Sequence, residues 1–276
     1  MSADFLPASA VIVGGASGIG LALAKRLAGD GLQVVVGDLP GLALDRVAAI
    51  EGLHALPCDA ADMAAIDTFA SEACEILGQV DLVFNNAGVS GPKGKVWEVD
   101  PERARAHFDI NFWGVWHGIR AFAPRLIAQD TPSAIYNTGS ENSWFCAVRE
   151  TPAYIAAKHA VLGLSESLRE DLPAHVHAGT IIPGWVFTPL GPERFMKFGM
   201  DVEEYISLIM PQILARRRFV VSHGYNKVRI AQRLDALNDS FDQYALPPDQ
   251  DIQHDVQAVM AQWRTAAAQG KDDPKE

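Results

Sequence analysis

Glycines 14, 15, 18 and 20 stand between a short apolar run at 10–13 and a stretch of helical apolar spacing at 19–28. A strand that passes through a glycine turn straight into a helix brings the free N–H groups and positive dipole end of that helix to the top of the strand. Glycine there lets the backbone approach a pyrophosphate with no side chain between them. Gly14, Ser17, Gly18, Ile19 and Gly20 are therefore candidate contacts to a dinucleotide.

The strand–helix alternation continues along the chain. Runs at 33–37, 53–57, 81–84, 134–138 and 176–182 read as strands. Val34-Val35-Val36 is the continuous apolar type that a parallel sheet buries on both faces. Segments at 41–50, at 62–77 behind an Asp62 cap, at 101–128 with Pro124 a candidate kink, and one opening at Pro152 read as helices. The pattern predicts an α/β fold, a doubly wound parallel sheet of about seven strands with helices on both faces. Ligands of such sheets bind at the carboxyl ends of the strands, near the point where strand order reverses.

Beyond 184 the pattern changes to an aromatic-rich mobile loop with short helices at 185–200. A helix at 202–217, a seventh strand at 219–222, helices at 226–244 and 249–268 and a disordered charged tail at 271–276 are expected. The whole reads as one domain over 1–270, its cofactor part at 8–184 and its substrate loop and C-terminal helices at 185–270.

Bulk properties exclude several function classes. A net charge of -11 argues against nucleic acid or an anionic membrane as partner, because like charges repel. No run approaches the ~20 apolar residues of a membrane span. The first residues lack the basic and apolar segments of a signal peptide, so a cytoplasmic location is expected. Cys58, Cys74 and Cys146 have no metal-ligand spacing and read as small buried hydrophobes; no metal site is predicted.

Other residues fall at predicted strand ends. Asp38 closes the second strand and can accept hydrogen bonds from adenosine ribose hydroxyls while repelling a 2′-phosphate. Leu39 follows it and the glycine turn carries no Arg or Lys, so NAD is expected rather than NADP. Asp59 and Ala60 end the third strand, where Asp59 serves either as an adenine acceptor or as an ordinary turn residue. Asn85, Asn86, Ala87 and Gly88 follow the fourth, small enough to approach the adenosine side. Tyr154 and Lys158 lie one helical turn apart, so the ammonium is expected to lower the phenol's pKa and make Tyr154 a general acid/base. Ser140 ends the fifth strand, where its hydroxyl can bond a substrate oxygen.

Taken together these residues resemble the short-chain dehydrogenase/reductase family, in its shorter single-domain branch. The matches, over roughly residues 8–190, are the turn from Gly14 to Gly20, Asn85-Asn86-Ala87-Gly88, Asn111, Ser140, Tyr154 with Lys158, and Pro183-Gly184 with Thr188. One departure is Gly14, where the family usually has Thr, whose hydroxyl bonds the Asn-Asn-Ala-Gly segment. The resemblance implies a Rossmann fold and hydride transfer between a nicotinamide cofactor and an alcohol or ketone. It implies that Asn111 holds a relay water, that Lys158 also bonds the nicotinamide ribose, and that Pro183, Gly184, Val186 and Thr188 position the carboxamide. It also implies a homo-oligomer, a tetramer or dimer, built through long helices.

Trp144, Trp185, Phe187 and Phe195 lie in the two segments expected to border the reacting carbon, so a bulky or aromatic hydrophobic alcohol or ketone is the expected substrate. Glu141 and Asn142 follow Ser140 and can reach a polar substrate group or simply bond within their loop. His223 and Arg216-Arg217-Arg218 read as a solvated face rather than an anion site. Two alternatives stand beside this reading, an NADP-dependent ketone reductase and a non-catalytic dinucleotide sensor on the same fold.

Overall fold

The computed structural model of the chain describes residues 5–268. It separates into two compact units, Met1–Asn226 and Lys227–Glu276. The charged tail lies outside the described residues.

In the first unit seven strands form one sheet: β1 (Ser9–Val13), β2 (Gln33–Asp38), β3 (Leu53–Pro57), β4 (Leu82–Asn85), β5 (Ser133–Thr138), β6 (Val176–Ile182) and β7 (Phe219–Val221). Their order is β3-β2-β1-β4-β5-β6-β7, and every neighbouring pair is parallel. The order reverses between β1 and β4, so a crevice opens at the carboxyl ends of those two strands. The register pairs Val13 with Gly37 and with Asn85, and Asn85 with Asn137. The ends of four strands thus stand level at the switch point.

Pleating sends alternate residues of β1 to opposite faces. Ala10 and Ile12 join the core under helices α1 (Gly18–Gly29), α2 (Leu42–Ala48) and α8 (Val202–Leu214). Val11 and Val13 join the core under α3 (Met63–Leu77) and α5 (Gly114–Gln129), where Phe69 and Phe122 meet edge to face at 6.2 Å. The α6 helix (Pro152–Asp171) adds Leu168 to the second face.

The Asp62 cap is present, its carboxylate accepting from Ala64 N–H at 2.8 Å. The long helix expected at 101–128 is instead three pieces, α4 (Pro101–Phe108), a π-turn at Asp109–Trp113, and α5, which runs through Pro124 without ending there. The helix expected at 202–217 stops at Leu214, because Arg216 takes a left-handed conformation at φ 47°. The loop expected at 185–200 holds one short helix, α7 (Glu193–Met196). Its base is closed by Phe187 N–H donating to the Met200 carbonyl and Met200 N–H to the Trp185 carbonyl, both at 2.8 Å.

The α9 helix (Tyr225–Tyr244) starts at the end of the first unit. The second unit continues it and adds α10 (Pro248–Asp251), a 3-10 turn and α11 (Val256–Ala268). The single helix expected at 249–268 is broken where Asp255 caps α11, accepting from Gln257 N–H at 2.9 Å. Among the described residues no helix is long and apolar enough to cross a membrane.

Candidate active site

The glycine turn is held by its neighbours. Gly14 N–H donates to the Gly37 carbonyl at 2.7 Å, and the Asn86 side chain donates to the Gly14 carbonyl at 2.7 Å. Asn86 also accepts from the Thr138 hydroxyl at 3.2 Å, so β1, β4 and β5 are tied at their ends. Gly14 has φ +80°, and a Cβ on it would lie 2.4 Å from Ala87 Cα. Gly14 thus has no room for the Thr side chain expected at this place, and the tie to the β4 loop is made through its main-chain carbonyl. A Cβ on Gly18 would lie 3.3 Å from Thr188 Cβ, so the β1 turn touches the segment after β6.

Ser17 is exposed at the start of α1, and no side chain caps the first-turn N–H groups. Those donors and the small turn fit a dinucleotide pyrophosphate. Asp38 Oδ2 accepts from Ala16 N–H and Oδ1 from Leu39 N–H, each at 2.8 Å, which fixes the carboxylate at the mouth of the turn. Asp59 Oδ1 accepts from Ala61 N–H at 2.9 Å, and the Ala60 carbonyl lies 3.0 Å from a His117 ring nitrogen.

At the next strand ends, Ser140, Tyr154, Lys158 and Asn111 come together. Asn111 is fully buried in the π-turn. Its Oδ1 accepts from Val89 N–H at 3.3 Å, and its Nδ2 donates to the His107 carbonyl at 3.2 Å and stands 3.1 Å from His107 Nδ1. A Cβ on Gly88 would lie 3.0 Å from Asn111 Oδ1 and 3.7 Å from Lys158 Nζ, so the Gly88 backbone runs close to both groups. Lys158 is buried and donates to the Thr138 carbonyl at 2.7 Å; burial lowers its pKa to about 8. Its ammonium stands 5.8 Å from the centroid of the Tyr154 ring.

The Tyr154 pKa corrects the sequence expectation. Burial pushes the phenol up, outweighing a hydrogen bond from Ser140 that lowers it, and the nearby Glu141 carboxyl raises it further. The Lys158 ammonium is directed to the Thr138 carbonyl, 5.8 Å from the Tyr154 ring centroid, and does not offset the effect of burial.

Ser140 is positioned by a reciprocal cap. Its Oγ accepts from Asn142 N–H at 3.1 Å, while its own N–H donates to Ser143 Oγ at 3.1 Å and Ser143 Oγ donates to the Lys158 carbonyl at 2.7 Å. Sequence reading missed Ser143, although its place three residues after Ser140 is a capping signal. It also missed His107, which sits one turn before Asn111 with its ring 5.9 Å from that of Tyr154. Burial and Lys158 lower the His107 pKa to about 4.

The expected pocket residues divide. Trp185, Phe187 and Phe195 are exposed, and Trp185 leans on Phe198 at 6.4 Å. Trp144 is half-buried edge-on against Phe219 at 5.6 Å. Asn142 serves its own loop, its Oδ1 accepting from Ala147 N–H at 3.0 Å. Glu141 is buried with the Tyr225 and Asn226 side chains in hydrogen-bonding range. The basic run is engaged elsewhere: Arg218 with Glu166, and Arg216 over the Phe5 ring. His223 lies 3.2 Å from the Trp185 carbonyl. Three cations that sequence reading did not single out border the loop. Lys93 and Arg194 flank the Phe195 ring at 6.0 and 4.8 Å, and Lys197 stands 5.3 Å from Phe198. The cysteines are free; Cys58 is buried with its thiol pushed up to about 12, Cys74 is half-buried, and Cys146 is exposed, contrary to expectation. Among the described residues no acidic, His or Cys cluster fits a metal ion.

A phenol, a hydroxyl and an ammonium beside a phosphate-binding turn can exchange a proton with a carbinol while a nicotinamide dinucleotide exchanges the hydride, the work of an oxidoreductase. Residues 8–197 match the short chain dehydrogenase family. The 1-deoxy-11-beta-hydroxypentalenate dehydrogenase of Streptomyces exfoliatus is 35% identical over 253 residues, 87% of this chain and 90% of that protein. The D-beta-hydroxybutyrate dehydrogenase of Cupriavidus necator is 31% identical, over 71% of this chain and 79% of that protein. The crystal structure of a short chain dehydrogenase/reductase from Burkholderia phymatum in complex with NAD aligns with a TM-score of 0.78 at 28% identity, covering 86% of this chain and 96% of that one. The chain belongs to the short-chain dehydrogenase/reductase family. It is an oxidoreductase for alcohol or ketone substrates.

Proposed function

We propose that this enzyme is an NAD-dependent dehydrogenase of a bulky hydrophobic secondary alcohol, running in reverse as a ketone reductase. The observation that carries the cofactor choice is the Asp38 carboxylate, pinned by two N–H groups at the turn, where a 2′-phosphate would meet a fixed negative charge. The NAD in the Burkholderia relative is consistent with it. The exposed rings of Trp185, Phe187 and Phe195 support an apolar substrate body.

In this reading Gly14, Ser17, Gly18, Ile19 and Gly20 hold the pyrophosphate, and Asp38 and Leu39 meet the adenosine ribose. Asp59, Ala60, Asn86, Ala87 and Gly88 line the adenine side, and Pro183, Gly184, Val186 and Thr188 the nicotinamide side. The bound dinucleotide supplies the hydride acceptor. Tyr154, as phenolate, takes the carbinol proton, and Ser140 hydrogen-bonds the substrate oxygen. Lys158 passes the proton on to a water held by Asn111 and so towards solvent. A homo-oligomer belongs to the same proposal.

Lys93, Arg194 and Lys197 favour a second reading of the substrate, as an alcohol bearing a carboxylate remote from the carbinol. Among the described residues none of the three has a carboxylate in ion-pair range, in a chain of net charge -11. Two relatives are named for hydroxy acids, hydroxypentalenate and hydroxybutyrate.

The test is reduction of NAD and NADP, side by side, with a panel of bulky and small secondary alcohols, each with and without a carboxylate, and Tyr154→Phe as control. Turnover with NAD, lost in the variant, is expected. A preference for NADP would overturn the role of Asp38, and equal rates for small and bulky alcohols would overturn the substrate assignment.

A further inference from the structure

Glu141 is a buried carboxyl placed where a substrate-binding group is expected, yet it is turned to the protein. Its N–H donates to the Pro183 carbonyl at 2.8 Å. Its side chain faces Tyr225 and Asn226 at the start of α9, His223 just before it, and Tyr154 on α6. The same partners grip the turn after β6. Tyr225 Oη accepts from Trp185 N–H at 3.2 Å, and His223 Nε2 lies 3.2 Å from the Trp185 carbonyl. His223 Nδ1 lies 2.8 Å from Ser222 Oγ, so the ring is held on both sides. A Cβ on Gly184 would lie 2.5 Å from His223 Cγ and 2.8 Å from Tyr225 Oη, so the chain fits this grip only as glycine. The segments leaving β5, β6 and β7 therefore meet at one cluster within the first unit.

We propose that Glu141 is a positioning residue, fastening through Tyr225 and Asn226 the turn from which Val186 and Thr188 reach the nicotinamide. The inference rests on the reading of those two residues as nicotinamide contacts and of Tyr154 as the proton-transfer group.

Glu141 Oε2 is buried with no hydrogen-bond partner among the described residues, a costly place for an ionised oxygen. Burial raises the carboxyl's pKa against the opposing pull of Tyr225, His223 and Asn226. The other basic side chains in this region are His223, from the β7–α9 turn, and Lys158 beside Tyr154 on α6.

The experiment compares NADH with ADP-ribose, which has the same adenosine diphosphate half but no nicotinamide, by calorimetry on Glu141→Gln, Glu141→Leu and Tyr225→Phe. Tyr225 is an exposed side chain, so its variant folds even if the leucine variant does not. Expected for the leucine and phenylalanine variants is an NADH Kd raised at least about tenfold, or ~1.4 kcal/mol, with the ADP-ribose Kd unchanged. The glutamine variant, which keeps the polar contacts, should bind both ligands, with the pH–rate profile moved to lower pH as the charge that raises Tyr154 is removed. Equal loss of both ligands would mean a merely structural role and overturn the proposal. Unchanged NADH binding in Tyr225→Phe, or a glutamine variant as weak as leucine, would overturn it too. Failure of the underlying reading shows separately, as a Tyr154→Phe enzyme that still turns over.

Discussion

Lys158 donates to the main-chain carbonyl of Thr138 at 2.7 Å, which fastens the middle of α6 to the last residue of β5. The bond steadies an ammonium beside the site whose burial costs it some of its basicity.

That cost has a pH signature. Lys158 titrates near 8 in the fold against 10.5 ordinarily, so between those values the unfolded chain holds a proton that the folded chain has released. Its contribution to stability is fully present above 10.5 and is lost as the pH falls through about 8. Denaturant unfolding of wild type and Lys158→Met at pH 7.5 and 10.5 should show the variant's relative advantage shrinking with pH, by on the order of 3 kcal/mol.

His107 makes the corresponding prediction on the acid side. Its ring is buried with pKa lowered to about 4 from 6.5, so its contribution is full above 6.5 and lost as the pH falls through about 4. In His107→Phe the loss of stability from pH 6.5 to 4 should be shallower, by up to about 3 kcal/mol. Parallel curves for the two proteins would show that this imidazole protonates in the fold as easily as in the unfolded chain.

Gly14→Ala should abolish tight dinucleotide binding. The added Cβ would sit 2.4 Å from Ala87 Cα on a backbone at φ +80°, so the turn must move away from the β4 loop. A rise of at least about tenfold in NADH Kd, at roughly 1–3 kcal/mol lower stability, is expected from calorimetry and denaturant unfolding.

Beneath the site runs a buried polar chain from Asn85 to Asn137 to Ser165, with bonds of 2.8 and 3.0 Å. Ser165→Ala leaves the Asn137 amide without that acceptor and should cost about 1–3 kcal/mol in denaturant unfolding. Gly118→Ala should be worse, since its Cβ would lie 1.9 Å from Asn85 Oδ1.

Much of this was legible in the sequence for a physical reason. Parallel strands buried on both faces, such as Val34-Val35-Val36, are written as unbroken apolar runs, and the first six strands were each recognised. The turn after β1 was legible because glycines carry steric demands that other residues cannot meet. Partners distant in sequence were not. Nothing around Glu141 points to Tyr225, and no local pattern turns Lys158 towards Thr138 rather than leaving it free to act on Tyr154. The break at Asp109–Trp113 was also invisible, because its residues suit an α-helix as well as a π-turn.

That break works as a phase shifter. A π-turn holds one residue more than the α-helical turn it interrupts, and each α-helical residue turns the chain by about 100°. The residue count between Pro101 and Gln129 thus couples the direction in which Asn111 faces to the direction in which Gly118 meets Asn85. Deleting one residue there would repair the helix and misalign the enzyme, so along this segment length is under a tighter constraint than composition.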